Sequence, residues 1–194
     1  QEDARDFDDV LREAQAKGYA EADPTFDIEG IDTAHKLAII TALAYGVKVN
    51  PDAVYTEGIR HIRLSDIRYA AELGYTIKLL GICEETPEGI VQRVHPCMVP
   101  VHAPLSSVDG VYNAVFVQGD GVGNTMFEGA GAGQGPTASA VVADLLDIAA
   151  GRHSYAFGIP ASSLKEALWV PMERRNGAYY IRLTVVDRPG VMAD

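Results

Sequence analysis

Hydrophobic positions near the start of the chain recur at helical intervals. Phe7, Val10, Leu11 and Ala14 are spaced by three and four residues, so they share one face of a helix. Acidic and other polar residues fill the positions between them. The pattern therefore predicts an amphipathic helix over residues 7–17.

A second helix is predicted after a loop over residues 19–31. Its sequence, LAIITALAYG following Lys36, is more apolar than a surface helix usually is. Asp32 or Thr33 is expected to cap its N-terminus, because short polar side chains accept hydrogen bonds from the free amides there. Gly46 is expected to end the helix.

Two more helices are predicted further along the chain. The first is short and lies near residues 65–73, with Ser65 or Asp66 as its cap and Gly74 as its stop. The second reads TASAVVADLLDIAAG and opens at Pro136. Proline at the start of a helix and glycine at its end is the asymmetry expected of helices.

Three runs between these helices are typical of strands: TIKLLGICEE, GIVQRVHPCMVP and VYNAVFVQGD. A turn around residues 86–89 joins the first two. Pro96 and Pro100 should place the second strand at an edge or end it early, since proline donates no ladder hydrogen bond. The glycine-dense run GDGVGNTMFEGAGAGQG and residues 152–164 are expected to be loops. The tail, AYYIRLTVVDRPGVMAD, predicts a strand followed by a turn.

Composition excludes several classes of protein. The chain has 194 residues, 47% of them hydrophobic, and a formal net charge of -11. It has no Lys/Arg-rich stripe, which argues against a nucleic-acid partner, because binding to phosphate needs clustered basic charge. No apolar run reaches membrane-spanning length, and the acidic N-terminus is unlike a secretion signal. We therefore expect a cytoplasmic protein without a membrane partner.

The cysteines and histidines do not suggest a metal site. Cys83 and Cys97 form no CxxC or other ligand spacing, and we expect reduced thiols in place of a disulfide. His95 and His102 flank prolines and have no metal-ligand spacing to a cluster of Asp, Glu or His. No metal is therefore expected.

Candidate chemistry concentrates in the run GYAEADPTFDIEGIDTAHKLAIITALAYG, which holds Glu21, Asp32 and Lys36. Lys36 shares a helical stripe with Ile40 and Leu43, which would place it beside water, not fully in it. Apolar surroundings disfavour a charged amine, whereas a nearby carboxylate favours and orients it. The alternative is a solvated surface pair one turn apart, worth about 0.3–0.5 kcal/mol.

Three glycines, Gly129, Gly131 and Gly133, alternate just before the last helix. Glycine lets backbone approach a ligand closely, and free amides at a helix start favour phosphate. However, the spacing G-x-G-x-x-G and a Walker A lysine are both missing from this loop. The loop is therefore not itself a dinucleotide fingerprint, and the glycines could simply let a helix pack against a sheet.

Two long runs resemble one known family. GYAEADPTFDIEGIDTAHKLAI is similar to the substrate-binding segment of homoserine dehydrogenases. HAPLSSVDGVYNAVFVQGDGVGNTMFEGAGAGQGPTASAVVADL is similar to the later signature of that family. The match runs from near Phe7 to about Leu146, and both motifs occur in the expected order.

The resemblance implies a fold and an activity. The fold is α+β, a mixed sheet with helices packed on one face. The activity is the NAD(P)-dependent interconversion of L-homoserine and L-aspartate 4-semialdehyde, in threonine, methionine and isoleucine biosynthesis. By the resemblance, Glu21 and Asp32 bind the substrate ammonium, Lys36 transfers the proton, and Gly133 touches the dinucleotide.

The resemblance also implies a division into parts. Residues 1–150 are the substrate-binding, catalytic and dimerisation region, with the helix of 134–150 returning to the cofactor domain. Residues 151–176 are a linker, and 177–194 begin an ACT-like regulatory domain, through which threonine could act as an effector. The family has an N-terminal Rossmann domain, which makes most of the contacts with NADP or NAD, and a second catalytic lysine. Neither is recognisable here. We therefore expect a fragment of a homodimeric enzyme, inactive alone.

One alternative remains from a different class: the chain is a non-catalytic dimerisation and substrate-binding module. A weaker alternative, based on the ACT-like tail, is a regulatory sensor.

Overall fold

The computed structural model describes residues 7–16, 23–152 and 154–185. Its helices and strands are, in chain order, α1 (Phe7–Ala16), α2 (Thr25–Ile28), α3 (Ile31–Tyr45), β1 (Tyr55–Thr56), α4 (Leu64–Glu72), β2 (Tyr75–Thr86), β3 (Gly89–Pro100), β4 (Tyr112–Gly119), β5 (Gly123–Ala130) and α5 (Gln134–Ala149). Short 3-10 turns lie at Pro51–Ala53, Pro104–Ser107, Ala161–Ser163 and Met172–Arg174. The expected α+β class is confirmed.

The main sheet is mixed, as expected, with the strand order β1-β3-β2. β1 runs parallel to β3, with Tyr55 opposite Arg93. β2 and β3 form a long antiparallel hairpin whose register ends with Thr86 opposite Gly89. This hairpin is the platform on which α3 and α4 pack.

β3 is the central strand of this sheet, so the prediction that its prolines place it at an edge or end it early is wrong. β1 pairs only with Arg93 and Val94. In the described part of the chain, the β1 side of β3 therefore has no partner strand beside Pro96. Proline is tolerated there because no hydrogen bond is lost, and the strand continues to Pro100.

The core lies between α3 and one face of the main sheet. Leu37 is 5% exposed and Ala38 is 1% exposed. Their cluster comprises Ala34, Leu37, Ala38, Val54 and Val94, with Leu79 and Cys83 packed against it. Small residues allow close approach: a Cβ on Gly81 of β2 would lie 3.3 Å from the Thr33 methyl group. Burying one such aliphatic side chain stabilises the fold by roughly 1.5–3 kcal/mol.

α3 starts two or three residues earlier than its polar residues suggest. Gly30, with φ of 77°, is the N-cap residue, so neither Asp32 nor Thr33 caps the helix. Asp32 lies in the first turn, where the helix dipole favours a carboxylate. Gly46, with φ of 64°, ends the helix as predicted.

The predicted loop over residues 19–31 contains the short helix α2. The Pro24 carbonyl accepts hydrogen bonds from the amides of Asp27 and Ile28, at 3.1 and 2.9 Å. Ile28 is buried at the end of this turn. A helix of four residues is too short to show a hydrophobic period, which is why the sequence did not indicate it.

α4 begins at Leu64, after Arg63, and ends before Gly74, as predicted. Asp66 does cap this helix, but from inside it. Its carboxylate accepts a hydrogen bond from the Arg63 amide at 2.8 Å. The expectation that Ser65 or Asp66 would precede the helix is therefore wrong by two or three residues, because the N-cap residue is Arg63.

The glycine-dense run contains a strand, β5, where a loop was predicted. β5 pairs antiparallel with β4 along its whole length, with Val115 opposite Phe127. The segment NTMFE supplies the β-branched and aromatic residues of a strand, and the glycines on either side hid that signal. β4 and β5 form a separate two-stranded sheet.

The C-terminal segment is tied to the main sheet by its backbone. The Ile90 amide donates to the Leu168 carbonyl at 2.8 Å, and the Val170 amide donates to the Ile90 carbonyl at 3.0 Å. The described part of the predicted tail strand, up to Val185, is not paired in a sheet. The prediction of a strand there is wrong for these residues, because a strand needs a ladder partner. Residues 186–194 lie outside the described part of the chain.

Candidate functional site

α3 holds two of the predicted site residues in contact. The Lys36 ammonium lies 2.6 Å from Asp32 Oδ2, one helical turn away. Gly30 anchors this turn, because a Cβ at that position would lie 3.0 Å from the buried Val94 side chain. The pair is therefore presented by a helix whose start is fixed against the sheet.

The pair faces solvent in the described residues. The Lys36 side chain is 60% exposed and that of Asp32 is 38% exposed. On the predicted stripe, Ile40 is half-buried and Leu43 is exposed. Among the described residues, the apolar surroundings expected for Lys36 are not found, because the core side of α3 is formed by other residues.

His35, beside Lys36, contacts an aromatic residue. Its ring meets Phe26 of α2 edge-on, with centroids 5.3 Å apart and planes at 85°. This contact joins α2 to the start of α3. Glu21 itself lies outside the described residues.

Gly133 is the N-cap residue of α5, with φ of 117°. A Cβ there would come within 4 Å of no described residue except Pro136 and the chain neighbours. Gly133 is therefore not brought into contact with Asp32 or Lys36. Gly131 differs, since the Asn113 side chain already occupies the place where its Cβ would be.

Two groups of contacts were not foreseen from the sequence. Lys78 Nζ donates to the Val108 carbonyl at 2.6 Å and to Asp109 Oδ1 at 2.7 Å. Asp109 therefore holds the ammonium of a lysine on β2. These partners are far apart along the chain, so no local spacing could have indicated them.

A second unforeseen cluster surrounds Asp66, which is 3% exposed. The Tyr180 hydroxyl donates to Asp66 Oδ1 at 2.8 Å, and the Arg182 guanidinium forms an ion pair with Oδ2. Burial by itself would raise the pKa of Asp66. The Arg63 amide, the Tyr180 hydroxyl and Arg182 outweigh it and hold that pKa below its ordinary value.

Within the described residues, no three His, Cys, Asp or Glu side chains are grouped as metal ligands would be. None of the helices described is both long and apolar enough to cross a lipid bilayer.

The family model for homoserine dehydrogenase matches residues 1–146 of this chain. Homoserine dehydrogenase from Pseudomonas aeruginosa is 48% identical over 198 residues, which cover 99% of this chain and 46% of that protein. The enzyme from Neisseria gonorrhoeae is 51% identical over 193 residues, covering 96% of this chain and 44% of that protein. The chain thus spans under half the length of these curated relatives.

Solved structures agree. A homoserine dehydrogenase from Thiobacillus denitrificans superposes with a TM-score of 0.80 at 52% identity, covering 88% of this chain and 41% of that one. A hyperthermophilic archaeal homoserine dehydrogenase mutant in complex with NADPH gives a TM-score of 0.61 at 28% identity, covering 77% and 42% of the two chains. With these matches the resemblance is confirmed, and the chain belongs to the homoserine dehydrogenase family.

Proposed function

We propose that this chain forms the substrate-binding and proton-transfer part of an NAD(P)-dependent homoserine dehydrogenase. That enzyme would interconvert L-homoserine and L-aspartate 4-semialdehyde in the biosynthesis of threonine, methionine and isoleucine. The observation that carries the proposal is the Asp32–Lys36 ion pair at the anchored start of α3, in a chain of this family.

The substrate ammonium needs carboxylate partners, and Glu21 and Asp32 are the candidates. Lys36 engages Oδ2 of Asp32, and the carboxylate has a second oxygen for another cation. Asp32 is half-exposed, so a small substrate can reach it. Charge-assisted hydrogen bonds of this kind are about twice as strong as neutral ones, which would fix the orientation of the substrate.

Lys36 is the candidate for the proton. When the alcohol is oxidised, its carbon loses a hydride and its oxygen loses a proton, which the neutral amine of Lys36 would accept. In the reverse direction the Lys36 ammonium would donate that proton to the developing alkoxide. The contact with Asp32 places the Lys36 amine next to a carboxylate proposed to bind the substrate.

The nucleotide supplies or takes the hydride when it is bound. Gly133 fits a place beside it, because it is the N-cap residue of a helix and an added Cβ there would meet only the Pro136 ring among the described residues. We propose NADP or NAD, bound mainly by a Rossmann domain outside this chain. The archaeal relative in complex with NADPH supports a nicotinamide nucleotide.

The proposal is tested by Lys36→Ala in the complete enzyme. We expect kcat to fall by roughly two to four orders of magnitude, the usual span for a general acid or base. Lys48→Ala is the matched control, since Lys48 is also an exposed lysine in an ion pair, with Glu166. Turnover within about threefold of the wild type in Lys36→Ala, or an equal loss in both variants, would exclude the role of Lys36.

A second candidate function is dimerisation and substrate binding without catalysis. Apolar side chains are exposed along one helix and one hairpin of the described chain. They include Val141, Leu145 and Leu146 of α5, and Tyr112 and Phe127 of the hairpin β4–β5. Surfaces of this kind are typical of interfaces, and we propose a homodimer. Dehydrogenase turnover by this chain alone would exclude the non-catalytic role.

A further inference from the structure

A cavity of about 300 Å³ lies away from α3, between the main sheet and the C-terminal segment. Successive residues of a strand point to opposite faces. Val94 packs under α3, so the neighbouring Arg93 faces the other side of the sheet, where it lines the cavity. The opposite wall is formed by the segment 170–176.

The charges around this cavity favour an anion. Three guanidinium groups line it, against two carboxylates. Arg174 is paired with Glu88 at 3.0 Å. Arg93 lies 3.7 Å from Glu84, which is too long for a hydrogen bond, and Arg175 forms no ion pair with a described carboxylate. Positive charge is therefore left over, in a chain whose net charge is -11.

Arg175 is held in place before any ligand binds. Its guanidinium lies over the Tyr179 ring, 4.5 Å from the centroid, and Nη2 donates to the Ala178 carbonyl at 3.4 Å. The Tyr179 hydroxyl returns a hydrogen bond to the Arg175 carbonyl at 3.0 Å. A side chain fixed in this way loses little conformational entropy on binding.

Arg93 and Arg175 also have unused hydrogen-bonding capacity. In the described part of the chain, the Nε–H groups of both are buried and have no acceptor. A buried donor without a partner is destabilising, and an added acceptor relieves it. Burial raises the pKa of the half-buried Cys97 thiol; both guanidiniums oppose that rise, and Glu57 adds to it. The two charges therefore converge on one region.

We propose that this cavity is a binding site for a small carboxylate anion, held by Arg93 and Arg175. A planar guanidinium matches a carboxylate through two parallel hydrogen bonds. Val91, Val170 and Met172 provide apolar walls for the carbon skeleton of the ligand. The site is separate from Lys36 and depends on no step of the dehydrogenase reaction.

The test is titration of this chain with succinate, followed by nuclear magnetic resonance of the arginine Nε–H groups. We expect saturable shifts of the Arg93 and Arg175 signals. Arg175→Gln should weaken binding at least tenfold. Arg175→Lys keeps the charge but loses the two parallel N–H donors, so it should weaken binding less. Arg152→Gln is the matched control, because Arg152 is exposed and paired with Asp147 at 2.7 Å; it should not change the affinity.

Amide spectra of the variants show whether each one keeps its fold. If Arg175→Gln does not fold, the affinity of Arg175→Lys tests the role of Arg175. Shifts that do not saturate, or that affect all arginines equally, would overturn the site. Equal affinity for inorganic phosphate would overturn the assignment of a carboxylate. Unchanged succinate binding in a folded Arg175→Lys or Arg175→Gln variant would overturn the role of Arg175.

Discussion

At the scale of single residues, the spacing of Asp32 and Lys36 predicts that they meet, but not how exposed they are. The sequence places the two side chains one helical turn apart, and the structure joins them at 2.6 Å. The degree of burial depends on what packs over the helix. In the described residues α3 turns its apolar face to the sheet and leaves Lys36 exposed.

The role proposed for Glu21 leads to a prediction about affinity. In the complete enzyme, Glu21→Gln should raise KM for homoserine roughly tenfold or more, because losing a charged partner costs about 1.5–3 kcal/mol. KM for the nucleotide should stay within about twofold. Steady-state kinetics with each substrate varied in turn measures both values. Glu13→Gln, on α1, is the control. An equal rise for both substrates would indicate a structural carboxylate.

At the scale of elements, the helices were predicted best. α1, α3 and α4 lie within a few residues of their expected positions, because their periods and their terminal glycines are local signals. The strand β5 was missed, since glycines surround it. The central place of β3 could not be predicted either, because it depends on β1, a strand of two residues.

The contact between α3 and the sheet leads to a prediction about stability. Gly30→Ala should destabilise the chain by about 1–2 kcal/mol, because alanine disfavours a left-handed backbone. The new Cβ would also crowd buried Val94 and add to that loss. Gly74→Ala is the matched control: φ is 82°, but nothing lies within 4 Å of its Cβ. Urea unfolding of both variants should show the larger loss for Gly30→Ala. Equal losses would mean that Val94 does not restrict this position.

At the scale of the whole molecule, Asp66 joins α4 to a segment more than one hundred residues later. Asp66→Asn should destabilise the chain by roughly 1.5–3 kcal/mol at neutral pH, because Arg182 and Tyr180 lose a buried charged partner. Asp147→Asn, which removes an exposed ion pair, should cost less than about 0.5 kcal/mol. Urea unfolding measures both.

The pH dependence of this difference follows from the pKa of Asp66, which the fold lowers. A lowered pKa in the folded state stabilises the fold above the ordinary aspartate value of about 3.9, and this contribution is lost as the pH falls through the folded pKa. The difference between the wild type and Asp66→Asn should therefore shrink on acidification. A difference that is independent of pH would show that the charge of Asp66 does not contribute.

The sequence by itself determined the family, the α+β class, the main helices and the candidate site on α3. Those features rest on hydrophobic periods, capping residues and long motifs, each of which lies within one contiguous segment of the sequence. Only the tertiary structure decided which strand is central, that Lys36 is exposed, and that Asp66, Tyr180 and Arg182 meet. It also decided that Arg93 and Arg175 share a cavity. These contacts join residues far apart in sequence, and their geometry is set by the packing of the whole fold.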